Sequence, residues 1–170
     1  MSHYIIGIDP GSVTGAYGVI TGEVSLFLEC GDLPTTPLGT KGRPQINARL
    51  LAQLLSRIGG NNPAANLFAV VEQVQAMPKQ GSSSGFRFGA SFGIILGVLG
   101  ALEIPYVLVH PSKWKKAMGL DANKDKARTM AIQRWPGASS YLTRKKDSGR
   151  AESLLLALYQ FYRIHTEAKP

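Results

Sequence analysis

The sequence predicts an α/β protein in which a mixed β-sheet is flanked by helices. Three short apolar or β-branched runs separated by turn residues fill the first 30 positions, which is typical of an antiparallel meander. Strands then alternate with helical patterns, which favours a layered sheet with helices on its faces. The length of 170 residues and the 44% apolar and 18% charged fractions suit one globular core and exclude a mainly disordered chain.

The elements follow from local patterns. Strands are predicted at 4–8, 14–20 and 24–30, joined by the turns Asp9-Pro10-Gly11-Ser12 and Thr21-Gly22. Three prolines make 31–44 a loop. Helical spacing at 46–58 ends at Gly59-Gly60, and continuous apolar residues predict a buried strand at 67–71. The remaining predictions are a loop at 77–85, a glycine-rich helix at 86–102, a strand at 106–109, and helices at 111–118, 123–135 and 150–165.

Composition excludes several classes of protein. The single cysteine, Cys30, excludes a disulfide framework and a Cys-based zinc site, and the three histidines are too scattered to form a metal cluster. The longest apolar run, 92–102, is too short to span a bilayer, and no targeting segment is visible. We therefore expect a soluble protein without a membrane partner, in the cytoplasm of a bacterial or phage-infected cell, with an organellar origin left open.

The positive charge is concentrated in one part of the chain, the basic segment 111–146. This segment holds ten basic and two acidic residues, so it carries the whole net charge of +8. A solvated helix face would be the ordinary explanation for such a run. Because the rest of the chain is neutral, the concentration favours a surface that binds a polyanion such as nucleic acid.

Four acidic residues stand out by their position. Asp9 and Glu72 each follow a strongly apolar strand, where a carboxylate needs a partner or a cation. Asp147 and Glu152 lie where the last helix begins. Each could be an ordinary turn, strand-end or first-turn residue. Together they could bind a pair of hard divalent cations of the kind that cleave phosphodiesters.

Six motifs run in order along nearly the whole chain. They are Gly7-Ile8-Asp9-Pro10-Gly11, Val71-Glu72-Gln73-Val74, Phe88-Gly89 through Gly93 to Gly97, Pro105-Tyr106-Val107, Lys113-Trp114-Lys115-Lys116, and Arg150-Ala151-Glu152 leading into Leu154-Leu155-Leu156-Ala157. Together they resemble the RuvC family of Holliday junction resolvases. The segment Met77-Pro78-Lys79-Gln80-Gly81 resembles the phage and organellar branches more than the standard bacterial enzyme.

The resemblance implies a single ribonuclease H-like nuclease domain over 1–170 with a mixed five-stranded sheet. It implies a homodimer that binds four-way junction DNA and makes paired cuts, leaving 5′-phosphate and 3′-hydroxyl ends. The implied cofactor is Mg²⁺, two ions per active site, with Mn²⁺ as a substitute and no other small-molecule cofactor. The metal-binding and catalytic residues would be Asp9, Glu72, Asp147 and Glu152. The DNA-binding residues would be Met77, Lys79, Gln80, Ser83, Phe86, Arg87, Lys113, Lys115, Lys116 and Lys124.

The chain departs from the bacterial pattern in two places. The C-terminal acids of the bacterial enzyme are three positions apart, but Asp147 and Glu152 are five apart and would lie on different faces of one helix. Asp147 can therefore be a ligand only if it lies in a loop before the helix and turns inward. Gln75 stands where the bacterial enzyme has an aromatic wedge, so Met77 or Phe86 is the candidate for that role.

The glycines at 85, 89, 93 and 97 allow close approach to one helix face. That face could pack on its own sheet or, as the family implies, form the dimer interface.

Other functions fit the sequence less well. An actin-like ATPase would need two domains of this kind, and the chain is long enough for one. A non-catalytic DNA-binding module would not need Asp9, Glu72 and Glu152. A ribonuclease H or flap nuclease stays open.

Overall fold

The computed structural model describes residues 3–11, 15–37, 44–73, 82–121 and 123–167, without the side chains of 82–84, 124 and 167. A five-stranded mixed sheet forms its centre, as predicted. In chain order the strands of this sheet are β1 (Tyr4–Asp9), β2 (Ala16–Thr21), β3 (Phe27–Asp32), β6 (Leu67–Glu72) and β7 (Tyr106–Val109). They are arranged β3-β2-β1-β6-β7. The pairs β1–β2 and β2–β3 are antiparallel, and β1–β6 and β6–β7 are parallel.

The loop predicted at 31–44 is partly wrong. Strand β3 continues to Asp32, and two further strands, β4 (Thr35–Pro37) and β5 (Pro44–Ile46), pair as a small antiparallel sheet. Pro37 and Pro44 lie opposite each other in this pair. Proline is tolerated at a strand end of a two-stranded sheet, because the missing N–H faces no further strand.

The third strand begins later than predicted because the turn before it is longer. Ser25 has a φ of 53°, in the left-handed region, and its N–H donates to the Thr21 carbonyl at 3.1 Å. The Leu26 N–H donates to the Thr21 hydroxyl at 2.9 Å. These bonds hold the residues before Phe27 in a turn, so the predicted two-residue turn at Thr21-Gly22 is wrong.

The helices agree with the sequence patterns apart from their ends. They are α1 (Ala48–Gly59), α2 (Pro63–Asn66), α3 (Ser82–Ala101), α4 (Pro111–Ala117), α5 (Lys124–Arg134) and α6 (Ser148–Glu167). The short α2 was not predicted. Helices α3 and α6 begin earlier than predicted, so the end of the predicted loop at 77–85 is helical. Asn123 caps α5 as predicted, with its side chain accepting from the Asp125 N–H at 3.0 Å. Two 3₁₀ turns, Pro136–Tyr141 and Lys145–Asp147, join α5 to α6.

The sheet separates two apolar cores, because alternate residues of a strand point to opposite faces. One face carries Ile5, Ile20 and Val70 and packs against α4, α5 and α6. The other carries Ile6, Ile8 and Val71 and packs against α1 and α3. In the described part of the chain, no helix is long and apolar enough to cross a membrane.

Helix α6 lies unusually close to the sheet at a pair of glycines. Gly7 of β1 and Gly18 of β2 are direct cross-strand partners. A Cβ atom added at Gly7 would lie 1.9 Å from the Ser153 carbonyl oxygen, and one at Gly18 would lie 2.6 Å from the Leu154 nitrogen. Only glycine at both positions lets the α6 backbone rest on the sheet, and this contact fixes where the start of α6 lies.

Candidate active site

Two predicted carboxylates end neighbouring strands of the sheet. Asp9 is the last residue of β1, and Glu72 is the last residue of β6. The strands are parallel, with Ile8 beside Val71, so both carboxylates emerge at the same edge. The carboxyl ends of parallel strands are where α/β proteins place their ligands.

Glu152 reaches the same edge from α6. It immediately precedes Ser153, whose carbonyl rests on Gly7, so the backbone contact between helix and sheet sets its position. Burial is the main cause that raises the pKa values of Asp9 and Glu72, and the nearby charge of Glu152 adds to it. The structure therefore brings together three of the four predicted acids.

The surroundings of Asp9 disfavour its charge. Burial, followed by the charge of Glu72, raises the pKa of Asp9 from 3.8 to about 7, although the Gly11 N–H donates to its Oδ1 at 3.1 Å. Burial likewise raises the pKa of Glu72, against the opposing effects of Lys115 and Trp114. The ionised forms of Asp9 and Glu72 therefore have too little positive charge around them. A bound cation would supply that charge.

Helix α4 provides the two donors that face these acids. Lys115 Nζ donates to Glu152 Oε2 at 2.8 Å, and both side chains are largely shielded, with exposed fractions of 29% and 15%. Trp114 Nε1 donates to Glu72 Oε2 at 2.8 Å. Burial lowers the pKa of Lys115, but the bond to Glu152 and its charge outweigh this effect and hold the pKa above its ordinary value.

Asp147, the fourth predicted ligand, is bonded to an arginine in the structure, and its role as a ligand stays a prediction. Asp147 ends the 3₁₀ turn Lys145–Asp147, and its carboxylate turns back onto Arg144. Arg144 Nη2 donates to Oδ1 at 2.7 Å, and the Arg144 backbone N–H donates to Oδ2 at 2.8 Å. The side-chain bond from Arg144 is the main cause that holds the pKa of Asp147 below its usual range, and the backbone bond adds to it. Asp147 therefore lies in a turn before α6 and is buried, which is the placement that its role as a ligand would require, and its partner there is Arg144.

A different residue of α6 faces Asp9. Gly149 lies three positions before Glu152, the spacing at which the bacterial enzyme carries its other C-terminal acid. A Cβ atom at Gly149 would lie 3.4 Å from Asp9 Oδ2. Gly149 therefore approaches the Asp9 carboxylate without a side chain of its own.

The donor set of the site fits a hard divalent cation. Among the residues that the structure describes, no three Asp, Glu, His or Cys side chains are grouped tightly enough to hold a metal ion as they stand. Glu152 is bonded to Lys115 and Glu72 to Trp114, so α4 holds one oxygen of each of these two carboxylates. Three carboxylates face one ammonium group, and oxygen donors with excess negative charge are what Mg²⁺ and Mn²⁺ prefer.

The basic residues of the segment 111–146 differ in what they contact. Arg128 donates to the carbonyls of Leu142 and Thr143 at 2.9–3.1 Å, and Lys126 pairs with Asp121 at 3.0 Å. Arg128 therefore links α5 to the segment before α6, whereas the Lys126 pair is exposed at the surface. Lys113 and Lys116 lie on α4, the helix that carries Trp114 and Lys115, and both are exposed to solvent.

The other predicted DNA-binding residues are only partly described. Phe86, near the start of α3, is 78% exposed, whereas Arg87 beside it is half-buried. Met77, Lys79 and Gln80, with the Gln75 position, lie outside the described residues, as do the side chains of Ser83 and Lys124. Their assignment to DNA stays a prediction.

Sequence reasoning assigned no role to several residues that shape the site: Trp114, Gly18 and Gly149. Glycine inside an apolar strand is a usable signal, because it often marks close approach of another backbone. A tryptophan flanked by lysines gives no comparable signal, since most tryptophans at such positions pack in a core.

Comparisons with known proteins show what the whole chain is similar to. No protein-family model matches the chain. The chain is 30% identical over 124 residues to the chloroplastic Holliday junction resolvase MOC1 of Chlamydomonas reinhardtii. The match covers 72% of this chain and 14% of that protein, so the chain spans about a seventh of its relative.

Two solved structures of Thermus thermophilus RuvC have the same architecture. RuvC in complex with a Holliday junction substrate superposes with a TM-score of 0.68 at 23% identity, covering 98% of this chain and 99% of that one. Another RuvC structure gives a TM-score of 0.61 at 22% identity, with the same coverage.

The fold is therefore that of RuvC, a ribonuclease H-like mixed sheet flanked by helices, as the motifs predicted. The chain is, in addition, a homologue of a chloroplastic Holliday junction resolvase, which agrees with the predicted likeness to the organellar branch.

Proposed function

We propose that this chain is a metal-dependent endonuclease that resolves four-way DNA junctions. The observation that carries the proposal is the convergence of Asp9, Glu72 and Glu152 where two parallel strands end and α6 begins. The similarity to a named junction resolvase and the fold shared with RuvC support the same substrate.

In this proposal the three carboxylates hold the catalytic metal. Two Mg²⁺ ions, with Mn²⁺ as a substitute, would activate the attacking water and stabilise the leaving oxygen of the phosphodiester, giving 5′-phosphate and 3′-hydroxyl ends. Asp9 and Glu72 would hold the metal from the sheet edge, and Glu152 would hold it from α6 in place of its bond to Lys115. The ammonium group of Lys115 is then available to the DNA phosphate beside the site.

The DNA would lie across the α4 side of the site. Lys113 and Lys116 are exposed there, and Lys115 lies between them at the carboxylates. Lysines in this arrangement neutralise backbone phosphates without reading sequence. Phe86, an exposed aromatic, is the described candidate for a wedge between base pairs.

We further propose that α3 forms a homodimer interface, because paired cuts require two sites related by a two-fold axis. Gly89, Gly93, Gly97 and Gly100 are exposed, and a Cβ atom at any of them would meet nothing within 4 Å. The glycine face of α3 therefore makes no close contact with other described parts of the chain, which supports its use as an interface. The opposite side of α3 is buried through Ile95 and Leu99.

Cleavage assays on matched substrates test the proposed activity. With Mg²⁺, we expect the chain to cut a four-way junction faster than a flap, a linear duplex or an RNA–DNA hybrid. Asp9→Asn and Glu72→Gln should each abolish cleavage and leave junction binding intact. Asp125→Asn is the matched control, because it removes an exposed carboxylate on α5. Cleavage of the junction by Asp9→Asn at near wild-type rate, or preferential cutting of hybrids, would overturn the proposal.

A further inference from the structure

Trp114 makes a contact that packing alone does not require. Its side chain is fully buried in α4, and its indole N–H donates to Oε2 of Glu72, a residue 42 positions away in the chain. A buried indole N–H needs an acceptor, but a backbone carbonyl would satisfy that need. Here the acceptor is a carboxylate at the candidate metal site.

The other tryptophan of the chain shows the ordinary arrangement. Trp135 is also buried, with 4% exposure, and its indole N–H donates to the Ser25 backbone carbonyl at 2.7 Å. The chain has two tryptophans, so these residues form a natural pair for comparison. Both contribute buried aromatic surface and one indole hydrogen bond, and they differ in whether the acceptor can bind metal.

A short connection between β7 and α4 fixes the position of Trp114 relative to Glu72. Glu72 pairs with Val109 across β6 and β7, and α4 starts two residues after Val109. The α4 N-terminus is capped by His110, whose ring nitrogen accepts from the Ser112 N–H at 3.2 Å. The indole is therefore held by the same sheet that holds Glu72.

We propose that Trp114 is a positioning residue for metal binding: its N–H fixes one oxygen of Glu72 and so orients the carboxylate toward the cation. This inference rests on the proposed function, because it takes Glu72 as a metal ligand. Outer hydrogen-bond donors of this kind orient metal ligands, and their loss typically weakens metal affinity by about 10- to 100-fold.

The test compares Trp114→Phe with Trp135→Phe in the full chain. Each substitution keeps an aromatic ring and removes one indole donor. Mg²⁺ affinity is measured by isothermal titration calorimetry, and stability by urea unfolding in EDTA. We expect about 10-fold or greater loss of Mg²⁺ affinity for Trp114→Phe, from the same principle. Trp135→Phe should bind Mg²⁺ as the wild type does, although both variants lose stability.

Fluorescence gives a second measurement that does not require Trp114→Phe to fold. In the Trp135→Phe protein the sole remaining indole is that of Trp114, bonded to Glu72. Its emission should shift as Mg²⁺ saturates the site, with a midpoint that matches calorimetry. The shift should vanish when Asp9→Asn is added.

The outcomes separate the two proposals. If the wild type binds no Mg²⁺, or Asp9→Asn binds it equally well, the proposed metal site fails. If the wild type binds Mg²⁺ and Asp9→Asn does not, the positioning role is tested alone. Unchanged affinity in folded Trp114→Phe, or a Trp114 emission that ignores Mg²⁺, then overturns it.

Discussion

Replacing Asp9 by asparagine should stabilise the metal-free protein at neutral and alkaline pH. The asparagine has the same shape, and its Oδ1 can still accept the Gly11 N–H, which lies 3.1 Å from Asp9 Oδ1. The substitution removes a charge that burial and Glu72 disfavour. In the absence of a cation, the ionised Asp9 carboxylate therefore destabilises the folded protein, although the proposed reaction needs that charge.

The size of the effect follows from the pKa. A shift from 3.8 to about 7 is roughly three units, and at about 1.4 kcal/mol per unit ionisation of Asp9 costs at most about 4 kcal/mol. Relaxation of the site and entry of water reduce this limit, so we expect a gain of about 1–3 kcal/mol at pH 8.

The gain should depend on pH with a definite sign. Between pH 4 and pH 7 the unfolded chain has already lost the Asp9 proton and the folded chain retains it. Wild-type stability attributable to Asp9 therefore falls as pH rises through this range and then levels off. Urea unfolding in EDTA, at half-unit steps from pH 4 to pH 8, would measure the difference between wild type and Asp9→Asn.

Asp32→Asn is the control of opposite sign. Both Asp32 oxygens accept from Arg150 at 2.8 Å, and this bond holds the pKa of Asp32 below its ordinary value. Its substitution should lower stability at neutral pH, and the loss should fade as pH falls through the carboxylate range. The reasoning about Asp9 is refuted if Asp9→Asn gains nothing at pH 8, or gains equally at every pH.

Three further substitutions probe the scaffold and its surfaces. Gly7→Ala should lower the free energy of unfolding, measured by calorimetry, by about 1–3 kcal/mol, because the added methyl group forces α6 away from the sheet. It should also slow cleavage. An unchanged free energy of unfolding and an unchanged cleavage rate would contradict the close contact. Lys113→Glu with Lys116→Glu should weaken junction binding and lower its salt slope by about 0.9 per lost phosphate contact, and an unaltered slope would exclude these lysines from the interface. Gly93→Leu should weaken self-association in sedimentation and turn paired cuts of a cruciform plasmid into nicks; a wild type that is monomeric on junction DNA and still linearises the plasmid in one binding event would contradict the dimer.

Much of the site could be predicted because its signals are local. Asp9 and Glu72 each follow apolar residues that read as buried strands, and an acid in such a place is conspicuous. The parallel pairing of β1 and β6 then brings the two strand ends together. Glu152 was predicted from its place near the start of an apolar helix, and the structure bears out that placement.

The features that the sequence could not show depend on short-range contacts. Asp147 has an arginine three residues away, and the sequence could not show that Arg144 takes both carboxylate oxygens. Ser25 adopts a left-handed conformation that its residue type does not favour, and this delays the third strand. Three prolines concealed the small sheet of β4 and β5, because prolines fit at its end.

The site combines a fixed backbone with side-chain contacts that can be exchanged. Glu152 is placed by main-chain contact between α6 and the glycine pair of the sheet, where the spacing leaves no room for adjustment. Its bond to Lys115, at 2.8 Å, joins two flexible side chains. Under the proposed function, Glu152 would leave Lys115 by side-chain rotation to bind the cation, while the strand ends stay in place. The same rotation would release the lysine toward the DNA backbone, so metal binding and phosphate binding would favour each other.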